Sequence, residues 1–473
     1  MSVLAGSIAF SIATFISRIF GLARDVTLAA IYGASGVLDA YLVSIIFPFF
    51  LRKIFGEGAL GSSFVPFYKS VEDRDGFVSS VINTFLIITF AIVVIVEIFP
   101  GIVSSVFAVG YNVEGKEQIE RLVRITVLFV PEIFLWAVFY SILNSHDKFF
   151  LPALSPFLMN IGVIVGTLAG KDVFWSAVGF VLGGLAAAIA LGVKAVKYFN
   201  YKFVFNKMKG FWKAFSQATL AMMANQLNLL VDVNVASFLG YGSISFLQLA
   251  SRLYQLPLGL FSVAVSTVAL SKMSGKEKKE KEMKDAVETV LLFTLPSFLG
   301  LFILSKDLIY LIYGYGKFDE FAVLNTAKVL TMYSIGIVPY SLYYIALRYH
   351  HSSKRMSIPL YASILVTSTN GVLDVILGRI MGASGIALAT SIAGMVGSVF
   401  FLLRKEISVL YKENLKIVLS SAVMGAMLYL ARPLGNSRLF TLFLVLIAAS
   451  VYFLTLISLN SEKAKEVYRF IRR

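Results

Sequence analysis

The chain has 473 residues, of which 58% are hydrophobic and 15% charged, with a mean hydropathy of +0.82. A soluble globular chain is nearer half apolar and a quarter charged, so this composition excludes a soluble enzyme, a disordered chain and a fibre, and points to a polytopic membrane protein. Cysteine is absent and the three histidines are scattered, which removes disulfides, thiolate metal sites and a histidine-rich metal centre. The net charge of +15 would suggest nucleic acid in a soluble protein; here it speaks of topology and membrane lipids, with no nucleic acid partner.

Taken in chain order, apolar stretches bounded by charge, Gly or Pro predict helices over 3–32, 38–67, 77–108, 122–143, 152–169, 173–193 and 214–239. The series continues over 244–270, 287–313, 322–347, 357–377, 383–403, 415–431 and 439–459. Fourteen transmembrane helices give an all-α membrane protein, since helices are one of the two ways to satisfy a backbone in lipid. The first span is too long, and too interrupted by Arg18, Arg24 and Asp25, for a cleavable signal peptide.

With fourteen spans the termini share one side. That side collects 27 Lys and Arg in its loops and tail against six opposite, which places both ends in the cytoplasm. The Lys-rich loops at 194–213 and 272–284 need no ligand beyond lipid headgroups. A weak internal repeat accompanies this pattern. Val130-Pro131 is followed by Pro152 and Asn160, and Val338-Pro339 by Pro359 and Asn370, an offset of about 208 residues. An even helix offset preserves orientation, so the copies are two six-helix lobes related by a pseudo-two-fold along the membrane normal. The expected division is 1–205 for helices 1–6, 206–405 for helices 7–12, and 406–473 for helices 13 and 14 with the tail.

Three arginines lie well inside spans: Arg24, Arg52 and Arg252. Each costs at least about 2.5–3.5 kcal/mol on insertion scales, so it faces a wet cavity or a partner. Arg suits phosphate because its planar fork donates two parallel hydrogen bonds, and a set drawn from both repeats suits a multiply charged anion at the midplane. The alternative is pairing with Asp25, Asp39 or Glu57, Asp39 having a gating or structural role. Arg18, six residues before Arg24, would be an entry contact. A second constellation is acidic: Asp232 in helix 7, Asn370 and Asp374 spaced i,i+4 on one face of helix 11, and Thr390 on helix 12. These hard oxygen ligands suit Na⁺ or proton exchange and not Zn; the alternative is hydrogen bonding between neighbouring helices. Gly382, Gly385, Gly394 and Gly397 on helix 12 are expected to support motion, and no phosphate-binding Gly-x-x-x-x-Gly-Lys motif is present to signal ATP use.

Three stretches carry a resemblance: Ser17-Arg18-Ile19-Phe20-Gly21-Leu22-Ala23-Arg24-Asp25, Arg52-Lys53-Ile54-Phe55-Gly56-Glu57-Gly58-Ala59-Leu60, and Ala250-Ser251-Arg252-Leu253-Tyr254-Gln255-Leu256-Pro257. Together they resemble the MurJ lipid II flippases of the multidrug/oligosaccharidyl-lipid/polysaccharide exporter superfamily. The resemblance implies two six-helix lobes around a central cavity plus two further helices. It also implies export of the undecaprenyl-pyrophosphate-linked peptidoglycan precursor lipid II across the cytoplasmic membrane. Arg24, Arg52 and Arg252 then match the family's cavity arginines, Arg18 and Asp25 its helix 1 motif and Glu57 its helix 2 motif. Ser251 departs from the Asp expected in many relatives. Alternating access would be driven by the membrane potential or an ion gradient, with Na⁺ as a coupling ion. Helices 13 and 14 would hold the prenyl tail, and the chain would be monomeric with contacts to peptidoglycan synthases. Competing readings are an O-antigen flippase or a multidrug/cation antiporter of the same architecture, a lipid-linked sugar transferase, and a non-transporting scaffold. An antiporter would present acids where this chain presents Arg, and a transferase would need clustered carboxylates, for which Glu72-Asp73-Arg74-Asp75 is the one candidate.

Overall fold

A computed structural model describes residues 3–170, 172–206, 208–273, 280–353, 357–404 and 407–471. Every regular element among the described residues is helical. The first compact unit, Met1–Gly242, holds α1 (Val3–Tyr32), α2 (Gly36–Leu51), α3 (Gly61–Ser70), α4 (Arg74–Ile98), α5 (Gly101–Phe107), α6 (Val113–Thr126), α7 (Phe129–Ser145), α8 (Phe150–Leu154), α9 (Pro156–Gly170), α10 (Val173–Ala195) and α11 (Lys209–Ser237). The second, Ser243–Arg473, holds α12 (Ser243–Pro257), α13 (Ala264–Met273), α14 (Glu280–Ile303), α15 (Ser305–Tyr313), α16 (Glu320–Ile335), α17 (Ile337–Ser352), α18 (Ser357–Met381), α19 (Ala383–Leu403), α20 (Lys412–Ala431), α21 (Arg438–Ser458) and α22 (Glu462–Ile471). The fourteen expected segments all fall on helices. Among the described residues, nine helices are long and apolar enough to cross a membrane, or eleven if each of two bent pairs is one span.

The compact units divide at residue 242; within the first, α11 packs on α3, α5 and the π-helical stretch Arg52–Leu60. Helix starts follow capping chemistry: Asp73, Asn112 and Asp319 each accept a backbone N–H three residues on, from Gly76 (2.8 Å), Gly115 (3.0 Å) and Ala322 (2.9 Å).

The two bent pairs fall where the sequence repeats. α6 and α7 meet at 42° and α16 and α17 at 40°, and Pro131 and Pro339 are each the third residue of the second helix. A proline has no N–H to give and its ring strikes the carbonyl four residues back, so a straight span cannot run through it. The best-packed pair in the first unit, α9 and α10, meets through Gly162 and Gly166 against Gly179 and Gly183: a Cβ on Gly162 would overlap the carbonyl oxygen of Gly179, and the reverse. Small residues four apart let two backbones approach in lipid. The glycines of α19 work the same way. Cβ atoms on Gly385, Gly394 and Gly397 would overlap Leu377, Tyr340 and Val366 respectively, so these glycines serve close packing where the sequence suggested motion. Gly382 alone of the four has a positive φ, +65°, in the turn that opens α19.

Candidate functional site

On α1, Arg24 and Asp25 are both buried. The guanidinium folds back along its own helix, donating from Nε (3.0 Å) and Nη2 (2.7 Å) to Asp25 Oδ1. Nη1 donates to Asn160 Oδ1 of α9 at 3.1 Å, and Asn160 Nδ2 donates to the Ser17 carbonyl at 3.2 Å. The pairing alternative is thus realised for Arg24 within its own unit. A buried charge pair of this kind depends on both partners: removing one strands the other at about 3–5 kcal/mol. Arg18, by contrast, is exposed.

Arg52 opens the π-helical stretch Arg52–Leu60, a winding that recurs at functional sites. Its guanidinium carbon lies 4.9 Å from the ring centre of Trp136 and 5.8 Å from that of Phe49, within cation–π range. Glu57 belongs to the same stretch; its side chain lies outside the described residues. Beside Arg52 is a cavity of about 10 Å³ lined by Glu132, Trp136, Met159 and Gly184 among others, room for one water. Glu132 is 9% exposed and its Oε2 has no hydrogen-bond partner. That oxygen points to α10, where a Cβ on Gly184 would come within 2.7 Å of it. Sequence reasoning missed Glu132. It lies in the first turn of α7 directly after Pro131, where an acid looks like an ordinary N-terminal residue.

Asp39 is fully buried in the first turn of α2. It accepts from the Tyr111 hydroxyl (2.9 Å) and from the Gly242 backbone N–H (2.6 Å). Gly242 has φ +90°, a conformation that suits glycine. Asp39 therefore ties the last residues of the first unit to the start of α2, which is the structural side of its expected role.

In the second unit Arg252 is exposed on α12, and the helix passes at Pro257 into a second π-helical stretch, Leu258–Val263. Asn370 and Asp374 are buried on α18, joined by a 2.5 Å hydrogen bond from Asn370 Nδ2 to Asp374 Oδ2. The i,i+4 spacing thus brings the two together as expected. Thr390 is half-buried on α19, which packs on α18; its hydroxyl donates to the Ile386 carbonyl at 3.2 Å. Asp232 is half-buried on α11, in the first unit. Among the described residues no three His, Cys, Asp or Glu group closely enough to hold a metal on their own. The second unit also contains an apolar chamber of about 540 Å³, walled by α12, α14, α20 and α21 through side chains such as Leu256, Phe293, Pro296, Leu428, Val445 and Phe453.

The family profile described as lipid II flippase MurJ matches residues 28–453. The chain belongs to the MurJ family. It is 46% identical over 473 residues to the probable lipid II flippase MurJ of Thermotoga maritima, covering 99% of both chains. It is 43% identical to the lipid II flippase MurJ of Thermosipho africanus, covering 96% of both. Among solved structures it superposes on a lipid II flippase MurJ in an inward closed conformation with a TM-score of 0.87 at 40% identity, covering 98% of this chain and 100% of that one. An inward-facing multidrug transporter of the MATE family shares the fold alone, with a TM-score of 0.69 at 15% identity over 84% of this chain and 97% of that one. The protein is accordingly a multi-pass membrane transporter and not an enzyme.

Proposed function

We propose that the chain carries lipid II from the inner to the outer leaflet of the bacterial cytoplasmic membrane by alternating access, with both termini in the cytoplasm. The observation that carries the reading is identity of 46% and 43% to lipid II flippases along nearly the whole chain, on a fold shared with MATE-family transporters in inward- and outward-facing conformations. Arg24, Arg52 and Arg252 are the proposed ligands of the pyrophosphate, with Arg18, Asp25 and Glu57 supporting them. Arg is suited to this because it stays charged and grips phosphate oxygens in pairs. The apolar chamber of the second unit is the proposed seat of the prenyl tail, which passes there from lipid at little cost because both surroundings are apolar.

The drive is the membrane potential, worth about 2.3 kcal/mol per charge per 100 mV, or an ion gradient. Asn370, Asp374, Asp232 and Thr390 are the proposed Na⁺ ligands, oxygen donors suited to a hard cation. The working unit is a monomer that contacts peptidoglycan synthases. The test is depletion of a host's own flippase, with rescue by this chain and by Arg24→Ala, Arg52→Ala and Arg252→Ala. Rescue by the parent, and its loss in the variants at equal membrane levels, is expected. Full rescue by all three variants rejects the anion site.

A further inference from the structure

Between α10 and α11 the chain has no regular structure over 199–206. Four polar side chains on one face of α4, at i, i+4, i+5 and i+8, hold this segment. Asp75 accepts from the Asn200 backbone N–H (3.0 Å) and amide (3.2 Å), and Ser79 Oγ accepts from the Lys202 N–H (2.9 Å). Ser80 Oγ accepts from the Asn206 N–H (2.8 Å), and Asn83 Nδ2 donates to the carbonyls of Lys202 (3.3 Å) and Val204 (3.0 Å). Tyr201 closes the set by donating to Asn83 Oδ1 at 2.6 Å. Ser79 and Ser80 are fully buried and Asn83 nearly so. The segment therefore runs down α4 from Asp75 to the level of Asn83 and returns to Ser80. Eight residues of helix are about 12 Å.

Two features of this loop do not fit a segment bathed in water. First, five of its backbone groups are held by side chains of a membrane-spanning helix, an arrangement suited to a place where water is scarce. Second, it turns its aromatic groups outward: Phe203 is 79% exposed, Tyr201 56% and Phe205 51%, and Phe203 and Phe205 meet edge to face at 5.5 Å. In sequence they are flanked by Lys194, Lys197, Lys202, Lys207, Lys209 and Lys213, and no acidic residue occurs between Asp172 and Asp232. Aromatic rings at headgroup depth with lysines beside them match the interface of a leaflet that carries anionic phospholipid.

We propose that residues 199–206 form a membrane-dipping loop, seated through Tyr201, Phe203 and Phe205 in the anionic headgroup layer of the leaflet from which α4 starts. The loop anchors the α10–α11 connection to the bilayer independently of substrate. The chain has no cysteine, so Phe203→Cys provides a single thiol for a nitroxide label. The labelled full chain is placed in vesicles of phosphatidylglycerol and phosphatidylcholine, and its relaxation by oxygen, which concentrates in lipid, is compared with that by a water-soluble nickel chelate. Val94→Cys, on the lipid-facing part of α4, is the buried reference. The nitroxide at 203 is expected to be reached by both relaxants, with an oxygen-to-nickel ratio below that at 94 and several-fold above that of a label in water. Adding Asn83→Ala and Ser79→Ala should shift it toward the nickel chelate by freeing the backbone. Strong relaxation by nickel in the parent, or dipolar broadening between labels on two copies, overturns the proposal; the first puts the loop in water, the second in an interface between chains. Val94→Cys reading as lipid-exposed confirms that the labelled chain is folded.

Discussion

The two units place an asparagine at corresponding points of the repeat and use it with opposite polarity. In the first, Asn160 turns its carbonyl oxygen to the Arg24 guanidinium, which already holds Asp25. In the second, Asn370 turns its amide nitrogen to Asp374. An amide can do either, because it carries both a donor and an acceptor. One bent-helix framework thus supports a cation-centred cluster in one unit and an acid-centred cluster in the other. Of the proposed ligands, Arg24 belongs to the first of these clusters, and Asn370 and Asp374 form the second.

The largest test of that contrast compares the two charges. Arg24→Ala removes the partner of a buried carboxylate and is expected to cost about 3–5 kcal/mol, seen as a large fall in the melting temperature of the detergent-solubilised protein. Asp374→Ala leaves the neutral amide of Asn370 short of one acceptor, about 1–3 kcal/mol. The paired change Arg24→Gln with Asp25→Asn should recover most of the first loss in stability and none of the transport. Equal melting temperatures for the two alanine variants would show that the clusters do not differ in kind.

Much of this was legible beforehand, for physical reasons that differ by feature. The fourteen apolar stretches mark helices because lipid leaves the backbone few options. Pro131 and Pro339 mark the repeat, whereas the bends beside them do not follow from the apolar stretches 122–143 and 322–347, which run through both prolines. Asn370 with Asp374 follows from i,i+4 spacing; Arg24 with Asp25 is one of two open readings, since adjacent residues on a helix do not face each other. The π-helical windings at Arg52–Leu60 and Leu258–Val263 have no such signature, although both lie on or beside motifs that carry the family resemblance. Ser79, Ser80 and Asn83 were passed over because isolated polar residues in an apolar span look like ordinary helix contacts; their partner, the 199–206 loop, is far off in sequence. Composition does not tell whether the helix 12 glycines serve a hinge or the close contacts seen at Gly385, Gly394 and Gly397.

The glycine interfaces sharpen the comparison next. Gly179→Ala would drive a Cβ into the Gly162 carbonyl, and Gly385→Ala into that of Leu377. Neither obstacle is a flexible side-chain tip, so each change is expected to cost about 1–3 kcal/mol or more. Equal losses in melting temperature would make α9–α10 and α18–α19 matching seams. No loss at Gly385 would mean that α19 gives way, restoring the reading of that helix as mobile.

Glu132 breaks the symmetry further, since no acid stands at the matching place in α17. Its Oε2 is buried without a partner, a state that costs stability. Glu132→Met should therefore leave the melting temperature unchanged or raise it by up to the few degrees that about 1 kcal/mol produces in a chain of this size. Transport-dependent rescue should fall if the carboxyl works with Arg52 across their shared cavity. Full rescue by a stabilised Glu132→Met protein would remove the residue from the mechanism and leave it a flaw in the packing.

The smallest effect lies at the end of the bent helix of the first unit. His146 follows the last residue of α7; its Nε2 lies 2.9 Å from the Tyr68 hydroxyl and its ring stacks on Tyr198 at 3.9 Å between centres. Burial, and then the positive charge of Arg74, hold its imidazole below the ordinary histidine range. The unfolded chain therefore binds a proton more readily than the folded one. The stability from this group is fully present above about pH 6.5 and is lost as the pH falls from there through the depressed folded value. His146→Gln should flatten that part of the pH–melting curve while leaving the curve above pH 7 nearly parallel to the parent. A parent curve that rises on acidification over the same window, relative to His146→Gln, would mean that the folded state takes up the proton and that the ring's surroundings are not those of a buried neutral imidazole.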